Sequence, residues 1–235
     1  GRSIMKFEPK TLLRPLLAAG ALVGLAAVSG CGDISITFGD GPSVKGSGVS
    51  ASESRAVAHF EAIEATGTGK LKLRIGDTDS LKVTADDNIL PLIKTEVRDG
   101  VLVLSTEGGY TPKSNLLFEV TAKSVKRIEN SGTVSIDASG FNGGEFKLET
   151  SGVGSATLAG KVDSLKLALS GVGSVDAEAL AADRVVAEMS GVGSGSVRAE
   201  KSLKADVSGV GSLTWKGAAT DVSTSVSGIG RVSKG

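Results

Sequence analysis

The sequence predicts an all-β protein, a single-stranded parallel β-helix with coils of about 19 residues. The first observation is a motif, Ser-Gly-Val-Gly-Ser, that returns in related forms along the second half of the chain. The copies start at Ser131 (degenerate), Ser151, Ser170, Ser190, Ser208 and Ser227. This nearly constant period is typical of a solenoid whose coils contact only their neighbours. The second observation is an alternation of apolar and polar residues between the motifs.

Each repeat holds two stretches in which alternate residues are apolar or small. This period of two predicts two strands per coil, each with one buried face, and stacked coils would pair in parallel ladders around one core. After each motif, the predicted inward residues are Ile136, Ala138, Gly140, Ala156, Leu158, Gly160, Val175, Ala177, Ala179, Gly195, Val197, Ala199, Leu213, Trp215 and Gly217. Before the next motif, they are Phe146, Leu148, Thr150, Leu165, Leu167, Leu169, Val185, Ala187, Met189, Leu203, Ala205, Val207, Val222, Thr224 and Val226.

The motif itself is expected to form the corner of each coil. Glycine reaches positive φ without steric strain, so it suits a sharp turn. We expect the central Val or Ile to pack into the stack, and the closing serines to form a hydroxyl column bonded within itself or to the corner backbone. The serines are Ser135, Ser155, Ser174, Ser194 and Ser212. The corner glycines are Gly152, Gly154, Gly171, Gly173, Gly191, Gly193, Gly209, Gly211, Gly228 and Gly230.

Residues 1–30 have the order of a bacterial lipoprotein signal peptide, with translation expected to start at Met5 and residues 1–4 extraneous. A basic segment precedes an apolar run over 15–28 that is too short to span a bilayer comfortably. The run ends in Val-Ser-Gly-Cys, which resembles a lipobox. That resemblance implies cleavage before Cys31 and lipidation of this residue, including palmitate, so that the lipid attaches the protein to the membrane. An ordinary secretory signal with an incidental cysteine is the alternative.

The mature chain would be a lipid-anchored protein without disulfides, because Cys31 is the only cysteine. Without residues 1–30 it has 22 basic and 25 acidic residues, and no basic patch that indicates nucleic acid binding. Residues 31–56 are rich in Gly and Ser and are predicted to be a flexible tether. We expect the folded domain to occupy 57–235.

Residues 58–130 predict a less regular β block that closes the N-terminal end of the solenoid. Strand patterns occur at 71–75, 81–83, 101–104 and 116–120, and residues 87–94 predict one helical turn with Asp87 or Asn88 as its cap. A solenoid needs an atypical end, because an open coil would expose its core and its strand edges.

This chain resembles the head GIN domain family of auto-transporter adhesins. The similarity lies in segments 59–73, 79–85, 88–97 and 99–104, followed by the Gly-rich repeats, and extends from about residue 57 to the C-terminus. The family is common in bacterial envelope proteins, including lipoproteins. The resemblance implies a right-handed β-helix and an adhesin-like role, and it supplies no catalytic residues.

The chemically notable residues favour structural roles. His59 is the only histidine, so a histidine-rich zinc site is excluded, and no nucleophile elbow accompanies it. Trp215 falls at an inward position. Lysines and acids between the motifs, such as Lys147 and Glu149, predict an ion-paired, solvated sheet face. A polysaccharide lyase would need clustered carboxylates, but Thr157 separates Asp137 from Asp176 in their column.

We therefore expect a non-enzymatic, lipid-anchored protein of the bacterial cell envelope, with an adhesin-like binding or structural role. No catalytic, metal or cofactor site is predicted, and a glycan-binding or glycan-degrading β-helix is the alternative. In a Gram-negative cell, Gly32 after Cys31 favours the outer membrane. An envelope glycan or a protein is the expected partner besides the membrane. The sequence allows a monomer or an end-to-end pair, and it favours the monomer, because Arg231 and Lys234 place positive charge where two C-terminal coils would meet.

Overall fold

The computed structural model describes residues 43–235, and these residues form an all-β structure with one short 3-10 helix, η1 (Leu90–Leu92). Residues 1–42, which include the predicted signal peptide and Cys31, lie outside the described residues. No helix in the described part is long and apolar enough to cross a membrane. The strands are β1 (Val44–Lys45), β2 (Ser50–Arg55), β3 (Ala62–Ala65), β4 (Thr68–Ile75), β5 (Ser80–Asp86), β6 (Ile93–Arg98), β7 (Val101–Thr106), β8 (Tyr110–Thr111), β9 (Leu117–Ala122), β10 (Arg127–Asn130), β11 (Thr133–Asn142), β12 (Glu145–Thr150), β13 (Val153–Leu169), β14 (Val172–Met189), β15 (Val192–Val207), β16 (Val210–Lys216), β17 (Asp221–Val226) and β18 (Ile229–Lys234).

The strands stack into a β-solenoid with two parallel ladders, which confirms the predicted fold class. In the first ladder the order is β9, β4, β11, β13, β14, β15, β16 and β18. In the second ladder the order is β7, β3, β10, β12, β13, β14, β15 and β17. Strands β13, β14 and β15 belong to both, because each continues around an edge of the solenoid. Equivalent motif residues are direct neighbours in this register, so the sequence repeat is the coil repeat.

The alternating residues form one continuous core, as predicted. Leu148, Leu158 and Leu165 are completely buried. Leu148 belongs to β12, and the other two belong to the parts of β13 in the first and the second ladder.

Two predicted inward residues are displaced by one position: Gly140 and Ala179 are exposed, and the residues that follow them, Phe141 and Leu180, are buried instead. The register explains both shifts, because β11 and β14 each have one more residue than β13 between two aligned pairs. Each extra residue forms a bulge and reverses the inside–outside alternation beyond it.

The N-terminal end of the solenoid is closed by antiparallel strands, in agreement with the predicted irregular block. Strand β5 pairs antiparallel with β9, and β6 pairs antiparallel with β7. The turn between β5 and β6 is η1, whose N-cap is Ile89 and carries no side-chain capping bond. The prediction of Asp87 or Asn88 as the cap is therefore wrong. Their side chains accept hydrogen bonds from Ser47 instead, at 2.5 Å and 2.9 Å.

The predicted flexible tether is wrong for residues 43–56, because they form a strap on the N-terminal cap. Strand β1 pairs with β8, and β2 pairs with β5 over six residues. The side chain of Asp86 is completely buried and holds this strap. One oxygen accepts bonds from the Gly48 amide at 2.9 Å and the Ser114 hydroxyl at 2.8 Å. The other accepts from the amides of Lys113 at 2.8 Å and Ser114 at 3.2 Å.

These hydrogen bonds determine the protonation state of Asp86. Burial raises the pKa of this carboxyl group, but the bonds from the Lys113 and Ser114 amides, the Ser114 hydroxyl and the Gly48 amide lower it. The net effect is a lowered pKa, because hydrogen bonds to the charged form favour ionisation. Asp86 is thus a buried carboxylate that joins three segments distant in sequence.

The last coil differs from the prediction, because its inward positions are not covered. Val222, Thr224 and Val226 of β17 are exposed, since β17 pairs only with β15 among the described strands. Trp215 is buried as expected, and the ammonium group of Lys234 lies 4.6 Å from the centre of its ring. Lys234 therefore covers a core aromatic side chain by a cation–π contact, in addition to any effect of its charge on the coil edge.

Candidate functional site

The corner glycines are required chiefly by the close approach of neighbouring coils. A Cβ added to Gly193 would lie 1.6 Å from the carbonyl oxygen of Gly173, and one added to Gly173 would lie 1.7 Å from that of Gly154. All ten predicted corner glycines would place a Cβ within 2.2 Å of a backbone oxygen on the preceding coil. The expected positive φ occurs only at Gly154, Gly173 and Gly193 among them. Contact between coils, rather than a turn conformation, is thus their common physical requirement.

The central aliphatic residue of each motif points to solvent, which corrects the prediction that it packs into the stack. The exposed fractions are 49% for Val153, 52% for Val172, 52% for Val192, 48% for Val210 and 78% for Ile229. The alternation of the following strand accounts for this orientation, because the central residue lies two positions before an outward-facing residue. Continuing the alternation back into the motif would have predicted the exposure.

The five aliphatic residues form one straight column. Val153 pairs with Val172, Val172 with Val192, Val192 with Val210, and Val210 with Ile229 in the parallel register. Neighbouring strands lie about 4.8 Å apart, so the column is roughly 19 Å long. In each coil the two residues beside the aliphatic side chain are glycines. On the outer face, the nearest side chains along the chain are therefore those two positions away, which are serines in every copy except for Arg231 after Ile229.

A serine column lies on each side of the aliphatic column. Among the hydrogen bonds of residues 43–235, none involves a hydroxyl group of the closing serines, so the expected internally bonded column is not formed. We call the three columns together the serine–valine ridge. It consists of Val153, Val172, Val192, Val210 and Ile229, with Ser151, Ser170, Ser190, Ser208 and Ser227 on one side and Ser155, Ser174, Ser194 and Ser212 on the other.

The outer face of the second ladder carries two columns of opposite charge. Arg127 bonds to Glu129 at 3.0 Å, and Lys147 bonds to Glu149 at 2.8 Å, each pair within one strand. These side chains are substantially exposed, so each pair contributes little to stability, about 0–1 kcal/mol. The ion-paired, solvated face predicted from sequence is present. The basic column is Arg127, Lys147, Lys166 and Lys204, and the acidic column is Glu129, Glu149, Glu188 and Asp206.

The outer face of the first ladder separates its carboxylates as predicted. Asp137 pairs with Thr157, and Thr157 pairs with Asp176, so the two acids are two coils apart. Asp176 accepts hydrogen bonds from the Ser196 hydroxyl at 3.0 Å and the Glu178 amide at 3.1 Å. Within residues 43–235, no group of three or more His, Cys, Asp and Glu side chains is placed to hold a metal ion.

His59 is held at the N-terminal cap by a carboxylate. Its Nδ1 lies 2.8 Å from Asp79 Oδ2, and Asp79 Oδ1 accepts a bond from the Lys123 amide at 2.9 Å. Burial raises the pKa of Asp79, but the bonds from Lys123 and His59 more than offset this, and the pKa is lowered. The histidine is 57% exposed and the aspartate 10% exposed. The pair joins three segments of the cap, as expected of a packing residue.

Solved structures share this architecture. A structure described as a putative adhesin from Bacteroides fragilis is 25% identical, with a TM-score of 0.68, over 81% of this chain and 99% of that chain. A putative adhesin from Parabacteroides merdae is 21% identical over 82% and 98% of the two chains, with a TM-score of 0.52. A putative lipid binding protein from Parabacteroides distasonis is 20% identical over 83% and 100%, with a TM-score of 0.51. The last two show the shared fold alone.

No curated protein matches the chain. Residues 59–219 match the family described as putative auto-transporter adhesin, head GIN domain, and this range includes the cap and most of the repeats. The predicted resemblance is confirmed by this match, and the Bacteroides fragilis structure described as a putative adhesin agrees with it. The chain therefore belongs to the family described as putative auto-transporter adhesin, head GIN domain.

Proposed function

We propose that this protein is a non-enzymatic, adhesin-like binding module, anchored in the bacterial cell envelope by lipid on Cys31. The observation that carries the proposal is the serine–valine ridge, a regular array of exposed side chains on a rigid solenoid. Repeated, nearly identical units suit contact with an extended surface, whereas catalysis needs one unique group of reactive side chains. The family and its Bacteroides fragilis relative, described as a putative adhesin, support the same role.

The proposed anchor rests on the sequence that precedes the fold. The basic segment, the apolar run and the lipobox place Cys31 at the expected new N-terminus. Two or more acyl chains on one residue give stable attachment, since each buried methylene contributes about 0.8 kcal/mol. In a Gram-negative cell, we propose that Gly32 directs the protein to the outer membrane.

Cell fractionation tests the anchor. The full chain and its Cys31→Ser variant are expressed in the same bacterium, and the membrane and soluble fractions are compared by immunoblot. We expect the parent in the membrane fraction and the variant in the soluble fraction. A variant that stays with the membrane as the parent does would refute lipid anchoring through Cys31.

Adhesion and turnover assays test the binding role. Cells with the parent chain should be retained on a coat of envelope polysaccharide or on a bacterial cell layer better than cells with Cys31→Ser. Equal retention on both probes would contradict an adhesin-like role. Separately, the purified chain is incubated with polyuronates, and formation of unsaturated sugar is followed by ultraviolet absorbance. Sustained product formation would overturn the non-enzymatic proposal in favour of a polysaccharide lyase.

A further inference from the structure

We propose that the serine–valine ridge pairs side by side with the ridge of a second copy of this chain. This inference rests on the proposed binding role and deepens it by naming the partner. The first step is the distribution of exposed apolar residues. Among residues 43–235, eight large hydrophobic side chains are exposed, and five of them lie in the central column of the ridge. Such a concentration indicates an interaction surface, because single exposed apolar residues are ordinarily scattered.

The order of side chains makes the ridge complementary to itself. Four coils present Ser, Val and Ser at alternate positions, an order that reads the same in both directions, whereas the last coil has Ser227, Ile229 and Arg231. A two-fold axis therefore places the aliphatic column of one copy against that of the other, and serine columns against serine columns. The aliphatic columns face each other whether the two solenoid axes run in the same or in opposite directions. In both arrangements Val192, the third of the five residues in the column, faces Val192 of the second copy.

The spacing of the ridge also matches a second copy. Both surfaces have the same interstrand repeat of about 4.8 Å, so their side chains stay in step along the full column. Successive aliphatic side chains come from neighbouring coils, which leaves gaps between them along the column. Aliphatic side chains of the partner can enter these gaps and form a dry, interdigitated contact of the kind seen between stacked sheets.

Charge does not oppose this pairing. The four motif copies at 151–155, 170–174, 190–194 and 208–212 contain no charged residue. The neighbouring face of the second ladder has columns that consist mostly of like charges, as described above. Over these four coils the ridge is neutral, so two identical surfaces approach without repulsion between like charges, and Arg231 of the last copy places one charge at the C-terminal end of a closing-serine column.

The contact is expected to be weak in dilute solution. A ridge roughly 19 Å long and three side chains wide has a small contact area. It buries much less surface than a standard stable complex, which buries about 1,200–2,000 Å² in total. Attachment to one membrane raises the effective concentration of the copies, and this favours the pair. The proposal therefore predicts association in the cell envelope and weak association of the released protein.

Cross-linking of the full chain in intact cells tests the inference. A single cysteine is introduced by Val192→Cys, a short permeable bis-maleimide is added, and dimer is measured by immunoblot. Lys166→Cys, on the exposed charged face of the second ladder, is the matched control, and the parent without an added cysteine gives the baseline. We expect at least about tenfold more dimer for Val192→Cys than for Lys166→Cys, equivalent to about 1.4 kcal/mol. Equal cross-linking of the two variants would overturn the proposal.

A charge introduced on the ridge provides a second test. In the Val192→Cys chain, Val210→Lys should reduce the dimer at least about tenfold, because an unpaired ammonium group would be buried in the contact. Val186→Lys adds the same charge on the second ladder and should leave the dimer unchanged. Thermal melts establish that each variant is folded, and Val210→Ser, with a residue that the ridge already contains, replaces Val210→Lys if the latter unfolds. Undiminished dimer in the folded ridge variant would overturn the proposal.

Fractionation of the same cells separates this inference from the proposed function. If the parent is soluble, the lipid anchor is wrong, while the contrast between Val192→Cys and Lys166→Cys still tests the ridge. If the parent is in the membrane and the two variants cross-link equally, the anchor is supported and the pairing is wrong.

Discussion

The substitution Gly193→Ala tests whether the coils are as close as the structure has them. The added Cβ would lie 1.6 Å from the carbonyl oxygen of Gly173, whereas real Cβ contacts are essentially never shorter than 3.0 Å. The two coils would have to move apart at this corner until the distance between the Cβ and the oxygen reaches about 3.0 Å. The movement strains the adjacent bond between these coils from the Val192 amide to Gly171 O, which is 3.0 Å long.

Three contributions give the expected loss of stability. Overpacking costs about 1–3 kcal/mol, the φ of 155° adds about 1–2 kcal/mol for a residue with a Cβ, and the weakened backbone bond adds up to about 1 kcal/mol. We expect Gly193→Ala to lower the free energy of unfolding by about 3–5 kcal/mol, out of a total of about 5–15 kcal/mol. The melting temperature should fall by about 10 °C or more.

Two controls isolate the contact between coils. Gly144 has a φ of 78° and open space around an added Cβ, so Gly144→Ala tests backbone strain alone and should cost about 1–2 kcal/mol. Val192→Ala changes the adjacent exposed residue and should cost about 0.5 kcal/mol. Stability is measured by urea unfolding and thermal melts of unlipidated chains that carry Cys31→Ser. If Gly193→Ala loses no more stability than Gly144→Ala, the close approach of the coils is refuted.

Three further predictions concern the cap, the core and the last coil. Because the pKa of Asp86 is lowered, its charged form stabilises the fold above the unfolded pKa of about 3.9, and this contribution is lost as pH falls through the folded value. Asp86→Asn should therefore melt lower at pH 7 and expose residues 43–56 to proteolysis; equal cleavage in both chains would contradict a strap held by this carboxylate. Leu148→Ala removes a completely buried side chain and should cost about 2–5 kcal/mol in urea unfolding, whereas a cost below about 1 kcal/mol would show a loosely packed core. Lys234→Ala should shift the fluorescence of Trp215, the only tryptophan, and cost about 0.5–1 kcal/mol; an unchanged spectrum would argue against the cation–π contact.

The sequence determined the coil repeat and the composition of the core, because both depend on local periodicity. The nearly constant spacing between motifs aligns equivalent residues, and alternation defines which side chains face inward. The outward direction of Val172 and Val192 was available from the same alternation. Our expectation failed there because it treated the whole motif as a separate turn, whereas its last three residues are the first residues of the strand.

The tertiary structure alone decided features that depend on segments distant in sequence. Residues 43–56 have the composition of a tether, but backbone pairing with β5 and the bonds to Asp86 order them. The repeating glycines suggested turns, but the oxygen that excludes a Cβ belongs to the preceding coil. Likewise, Val222 occupies an inward position in the repeat but is exposed, because an inward side chain is buried only where another coil covers it. Local pattern specifies which way a side chain points along a strand, whereas only the stacking of coils specifies what it meets there.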